Sequence, residues 1–209
     1  MSKESYALPE EIAKEQMLNA FKVAQNSSCA RRRVGAIITD TQGNFVSGGF
    51  NHSSNGISCE AKFFSEYSKD VCQENAEYKM FLTLLNSNPL EAHKLEPDLS
   101  TELSAVWKSF LTFTKTDEFK ARHKEWQNTE IHSELSAILN AYKMGRSTAN
   151  CILFSSRSPC IACAHAIIES GIKCVYYTEI SEAGKGGIPV LDQAGIETIH
   201  LEVEHDYYT

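Results

Sequence analysis

The stretch that decides the fold runs from Glu130-Ile-His-Ser-Glu-Leu-Ser-Ala-Ile-Leu139 through Cys151-Ile-Leu-Phe-Ser155 and Ser158-Pro-Cys-Ile-Ala-Cys163 to Ile172-Lys-Cys-Val-Tyr-Tyr-Thr178. Apolar residues at helical spacing predict helices over 131–145 and 159–170, and the short apolar runs 151–155 and 172–178 read as buried strands. A Gly-rich loop at 184–187, a short helix and a strand at 196–203 complete the rhythm. Strands alternating with helices imply crossover connections and parallel pairing. Upstream, residues 9–25 read as an amphipathic helix opened by Pro9. Residues 34–39 and 45–50 read as a hairpin around the turn 40–44. The expectation is an α/β chain folded as a three-layer α/β/α sandwich, with the hairpin at one side of a mixed sheet. Residues 52–129 interrupt this pattern and read as a large helical insertion after the second strand, with helical stretches at 60–85 and 101–126 and an exposed loop between them at 86–100.

Composition narrows the class. At 209 residues the chain fits one domain, here 1–209 with its insertion. Gly 11 and Pro 5 are too few for a collagen-like or low-complexity chain. Lys+Arg 20 against Asp+Glu 27 leaves −7, which disfavours a polynucleotide held by phosphate contacts over a wide surface. No apolar run approaches the roughly 18 residues of a membrane span, and the polar start lacks a signal-peptide core, so a cytoplasmic location is expected. The seven cysteines, Cys29, Cys59, Cys72, Cys151, Cys160, Cys163 and Cys174, are an odd number in a chain too long to need staples. Reduced thiols, some of them metal ligands, fit better.

The chemistry gathers in two helix starts. Cys160 and Cys163 are three residues apart, so on a helix their sulfurs share a face and can close on one ion. Pro159 suits the helix entry, and the positive end of the helix dipole favours the thiolates a metal requires. His132 supplies an imidazole, and three protein ligands leave a fourth tetrahedral position for water, the construction of a catalytic rather than a structural zinc. Glu134, two residues past His132, is placed to carry protons rather than to ligate. A lone C-x-x-C or H-x-E is weak, since buried cysteines or a solvated helix start explain either. Both in this order, each opening a helix, are hard to reach by coincidence and match the zinc-deaminase pattern H-x-E then P-C-x-x-C.

With His123-Lys-Glu-Trp126, Arg33-Val-Gly-Ala-Ile-Ile38 and Gly49-Phe-Asn51 added, the chain resembles the deoxycytidylate (dCMP) deaminases, especially the T-even phage type, over about two thirds of its length. The resemblance implies a cytidine-deaminase-like five-stranded sheet and hydrolysis of dCMP to dUMP and ammonia, with Glu134 moving protons and host cytoplasm as the location if the chain is phage-encoded. It places Asn51 against sugar or base, the Ser133 amide against the pyrimidine carbonyl, the Ser158 carbonyl against the leaving amino group, and Arg33 against the 5′-phosphate. For Arg33 the competing reading is one of three solvated arginines. It further implies a second, structural zinc held by Cys29, Cys59, His123 and Glu130, with Cys72 as a substitute for Cys59 and His52 as a competitor. The second metal suits an insertion with few obvious apolar anchors, because it would tie the ends of that insertion to the core. Homo-oligomers, commonly hexamers, and regulation by dCTP or dTTP are also implied. Three departures stand out: Asn51-His-Ser-Ser54 replaces the family's Asn-Gly-x-Pro, Ser133 replaces an alanine, and Ile180 stands where an aromatic residue is usual, with Tyr176 and Tyr177 nearby. Two other readings are a deaminase of tRNA or single-stranded nucleic acid, which needs a basic channel, and a catalytically silent zinc-binding scaffold that senses nucleotides, which has no use for Glu134.

Overall fold

The computed structural model describes residues 5–70, 75–126, 129–182 and 184–204. In chain order these form α1 (Glu10–Ala24), the hairpin β1 (Gly35–Thr39) and β2 (Phe45–Phe50), the short β3 (His52–Ser53), and the helices α2 (Cys59–Tyr67), α3 (Ala76–Ser87) and α4 (Pro89–Leu95). A 3-10 turn, Glu96–Asp98, leads to α5 (Thr101–Phe113), α6 (Asp117–Trp126) and β4 (Glu130–Ile131). Then follow α7 (Ser133–Lys143), β5 (Ile152–Arg157), α8 (Ile161–Glu169), β6 (Cys174–Glu179), α9 (Gly184–Gln193) and β7 (Glu197–His200). Cα neighbours divide the chain into two compact units, one of residues 1–25, 34–51 and 132–209, the other of residues 26–33 and 52–131.

In the first unit five strands form a mixed sheet in the order β2-β1-β5-β6-β7. The hairpin and the β1–β5 pair are antiparallel, while β5, β6 and β7 run parallel. The period-two geometry of strands sorts their side chains between two helical layers. Ile37, Ile152, Phe154 and Tyr176 meet Met17 and Phe21 of α1. Ala36, Ile38, Leu153 and Val175 face the other way, against Ala137 of α7, Ala164 and Ile167 of α8 and Leu191 of α9. This is the expected three-layer sandwich. In α1 the stripe Ala13, Met17, Ala20, Phe21 and Ala24 is buried, with Glu10 and Glu11 at its positive end and Lys22 at its negative end.

Close approach positions the helices that carry the site. A Cβ on Gly49 would lie 2.3 Å from the Ala137 amide nitrogen, so only glycine lets β2 meet α7 at this distance. A Cβ on Gly187 would lie 2.0 Å from the Pro159 carbonyl oxygen, which lets α9 pack onto the start of α8. The predicted Gly-rich loop 184–187 is thus the first turn of α9: its glycines serve packing rather than a turn. The other core boundaries shift by a few residues. α7 begins at Ser133, and β7 ends at His200 instead of residue 203.

The second unit has more order than its sequence suggests. The expected helix 60–85 breaks into α2 and α3, the latter capped by Asn75, whose Oδ1 accepts from the Glu77 and Tyr78 amides. The stretch 101–126 breaks after Phe113 into α5 and α6. The expected loop 86–100 holds α4, started by Asn88, whose side chain accepts from the Glu91 amide, with Pro89 in the first turn. The expectation of few apolar anchors is overturned. Trp107 is fully buried, with ring centroids of Phe64, Phe81 and Phe110 at 5.0, 5.2 and 5.4 Å, and Phe63 meets Phe119 at 5.0 Å. Such aromatic packing is a core in its own right. The signal was visible as Phe and Trp at helical spacing, but it was diluted by charged residues on the outer faces. No helix among the described residues is long and apolar enough to cross a membrane.

Candidate functional site

His132 caps α7 in an extended conformation, φ −70° and ψ 156°, and Cys160 caps α8 in the same way, φ −76° and ψ 170°. The sharp entries bring the two helix starts together. His132 Nδ1 lies 3.5 Å from Cys160 Sγ and 3.4 Å from Cys163 Sγ. Zinc bonded at about 2.0–2.3 Å in a tetrahedron separates its ligand atoms by about 3.3–3.8 Å, so the imidazole nitrogen already stands from each sulfur at the spacing of such a site, with all three atoms within 4.8 Å of one another. The thiols are unequal: the Cys163 hydrogen bond, with help from His132, pulls the Cys160 thiol down to about 3, while that same bond and burial push Cys163 up. A divalent cation between the two sulfurs would favour both as thiolates. The chemistry of the donor set therefore fits zinc.

Glu134, in the first turn of α7, is only 4% exposed and stands outside the three-ligand group. Burial raises its carboxyl above the usual carboxylate range, opposed by its own backbone N–H, by His132 and by Ser133. The buried Ser133 hydroxyl donates to Glu134 Oε2 at 3.0 Å. That contact was not foreseen, since only the Ser133 amide was assigned a use. Ser158, the residue after β5, is buried. Its N–H donates to the Glu179 carbonyl at 2.8 Å and its Oγ accepts from the Ser181 amide at 2.9 Å, so the segment before Pro159 is fixed to the end of β6. Asn51 is buried and clamps the entry to β1: its N–H donates to the Val34 carbonyl at 3.0 Å, and its Oδ1 accepts from the Val34 N–H at 2.8 Å. Tyr176 belongs to the core, stacked on Phe154 at 4.7 Å.

A second group lies within the other unit. One ligand atom from each of Cys29, Cys59, His123 and Glu130 falls within 4.8 Å of all the others. Cys29 Sγ is 3.5 Å from His123 Nε2, which is 3.8 Å from Glu130 Oε1. Local structure explains the meeting, since the Glu60 N–H donates to the Ser28 carbonyl at 2.9 Å and so lays the Cys29 segment against the start of α2. β4, which carries Glu130, pairs with β3. The Cys59 hydrogen bond, joined by His123, pulls the Cys29 thiol well down, and Cys59 is pushed up by the same bond and by burial. Again the donors suit a cation. His52 is not in this group, and Cys72 lies outside the described residues.

Arg33 is neither solvated nor on its own. Its Nη2 donates to Glu60 Oε1 at 3.1 Å and approaches His93 Nε2 at 2.7 Å, and His93 Nε2 stands 2.8 Å from Glu60 Oε2. An anion reaching Arg33 therefore competes with a buried carboxylate. Glu60 and His93 were missed because their partners are 27 and 60 residues from them in sequence.

Comparison with known proteins accords with this geometry. Residues 10–179 match the family model described as the cytidine and deoxycytidylate deaminase zinc-binding region. A deoxycytidylate deaminase of Enterobacteria phage T4 is 32% identical over 185 residues, covering 87% of this chain and 86% of that protein. The deoxycytidylate deaminase of phage T2 is 30% identical over 191 residues, covering 87% and 88%. The crystal structure of a cyanophage S-TIM5 dCMP deaminase in complex with dCMP and dUMP aligns with a TM-score of 0.56 at 21% identity, over 93% of this chain and 99% of that one, and has the same fold.

Proposed function

The chain belongs to the cytidine and deoxycytidylate deaminase zinc-binding family, and from that membership we propose that it hydrolyses dCMP to dUMP and ammonia. The observation that carries this reading is the complete set of His132, Cys160 and Cys163 at zinc-ligand separations with Glu134 buried beside it, in a chain that aligns nearly end to end with phage deoxycytidylate deaminases. A zinc ion held by His132, Cys160 and Cys163 would supply the Lewis acidity that makes water a nucleophile near neutral pH. Glu134 would take a proton from the attacking water and pass it to N3 of the pyrimidine as C4 becomes tetrahedral, then move the proton of the new C4 hydroxyl to the amino group, which leaves as ammonia while C4=O forms. Burial, which raises the Glu134 carboxyl, suits a group that must both accept and give a proton. In this reading the Ser133 amide and the Ser158 carbonyl orient the base, and Asn51 lines the site. The experiment supplies purified protein with dCMP, cytidine, cytosine and guanine and follows ammonia. Preferential turnover of dCMP is expected, and preference for a nucleoside or free base overturns the assignment.

The reading includes a second, structural zinc at Cys29, Cys59, His123 and Glu130. It is supported by the convergence of four ordinary zinc ligands, with His123 Nε2 standing 3.5 Å from Cys29 Sγ and 3.8 Å from Glu130 Oε1. It also includes a homo-oligomer regulated by dCTP or dTTP, supported by the resemblance to dCMP deaminases. Sedimentation with and without each nucleotide checks it, and a monomer throughout contradicts it.

A further inference from the structure

Glu134 is asked to move protons at three positions in turn, so its carboxyl must be held in one orientation while remaining reactive. A glutamate has three rotatable side-chain bonds, and most of its possible orientations would point the carboxyl elsewhere. The structure shows what restrains it. Ser133, immediately before it, is completely buried, and its hydroxyl lies 3.0 Å from Glu134 Oε2. The serine stands where the resemblance expects alanine, a side chain that offers no hydroxyl.

We propose that Ser133 is a positioning residue: its hydroxyl engages one oxygen of the Glu134 carboxylate, fixes the rotation of the group, and leaves the other oxygen for the reacting water and amino group. The serine makes no covalent bond and transfers no proton to substrate. Its effect passes through Glu134 alone, so it should change the stabilisation of the tetrahedral species at C4 and leave binding of the planar base unaltered. This inference rests on the proposed deaminase activity. A buried hydroxyl could instead serve only to fill space at the start of α7. The two roles separate because space-filling would alter folding, metal retention or all ligands alike.

The test is Ser133→Ala, which removes one oxygen from a helix start that accepts alanine. Zinc content and thermal midpoint, measured first, should match the wild type. Turnover, kcat, should fall about tenfold with KM within about twofold, as expected for loosening a proton carrier rather than deleting it. Calorimetry should show affinity for the tetrahydro analogue of dUMP, whose 4-hydroxyl sits on a tetrahedral carbon, falling by the same factor with dUMP affinity unchanged. In a Glu134→Ala background, the serine substitution should cost no further analogue affinity, because nothing remains to be positioned. The proposal is overturned if Ser133→Ala leaves kcat and analogue affinity unchanged, if dUMP affinity falls equally, or if the loss persists in the Glu134→Ala background. All arms use the substrate that the wild type deaminates best, with its matching analogue and product. A wild type preferring another substrate would sink the dCMP reading while leaving the Ser133 comparison intact.

Discussion

In the proposed reaction a single side chain, Glu134, would divide binding from chemistry. It stands outside the group of three candidate ligands, so Glu134→Gln keeps volume and most hydrogen bonds while removing the ability to hold a proton. Zinc content measured by elemental analysis should be unchanged while ammonia release falls by about 10²–10⁴; turnover that survives the substitution would contradict the proton-carrying role. The residues of this site were legible in the sequence because their relation is local: Cys160 and Cys163 lie within one turn, and His132 and Glu134 flank one helix start. What was not legible depends on folding. The Oδ1 of Asn51 is used by Val34, and the guanidinium of Arg33 is used by Glu60 and His93. No pattern within a short window announces those partners.

Elements were predicted well where periodicity was clean and less well where glycine, proline or asparagine had two meanings. The sheet and its two helical layers follow from alternating strand residues. Asn88-Pro89 and the glycines near 184 read as loops in the sequence, yet the first pair starts α4 and the second belongs to a helix packed against another. Two adjacent glycines of α9 now make opposite predictions. A Cβ at Gly187 would press on backbone, 2.0 Å from the Pro159 carbonyl oxygen and 2.9 Å from the Cys160 carbonyl carbon. A Cβ at Gly186 would meet only the Ile161 side chain, Cδ1 at 2.9 Å and Cγ1 at 3.0 Å, and that side chain is 50% exposed and can turn away. Gly187→Ala should therefore cost about 1–3 kcal/mol and disturb the Cys160 ligand, because α9 has to retreat from the start of α8. Gly186→Ala should cost less than about 0.5 kcal/mol or stabilise slightly, since alanine is the better helix former. Denaturant midpoints and zinc retention of the two variants check this, and equal losses would show that the close approach has been misassigned.

At the scale of the whole molecule, each compact unit has its own apolar core and its own candidate metal ligands. Composition alone could set the class of the chain, but it could not show that residues 26–33 join the segment 52–131, because that grouping depends on the Cys29 segment meeting the start of α2. The aromatic core around Trp107 changes what the proposed second metal would have to do. Without such a core, losing the metal would unfold the segment, as in small metal-dependent domains. With the core present, α3, α4 and α5 keep their packing, and the consequence should be confined to what the four ligands join: the 26–33 segment, the start of α2, α6 and β4. Elemental analysis of the wild type should find about two zinc ions per chain, from one structural and one catalytic ligand set. Cys29→Ala with His123→Ala should lower this to about one. In the same variant, amide exchange should quicken over 26–33 and 117–131, while 76–110 and the five-stranded sheet keep their protection. A wild-type content of one would remove the second site. A content of two with exchange quickened throughout 52–131 would mean that the aromatic core cannot stand without its metal.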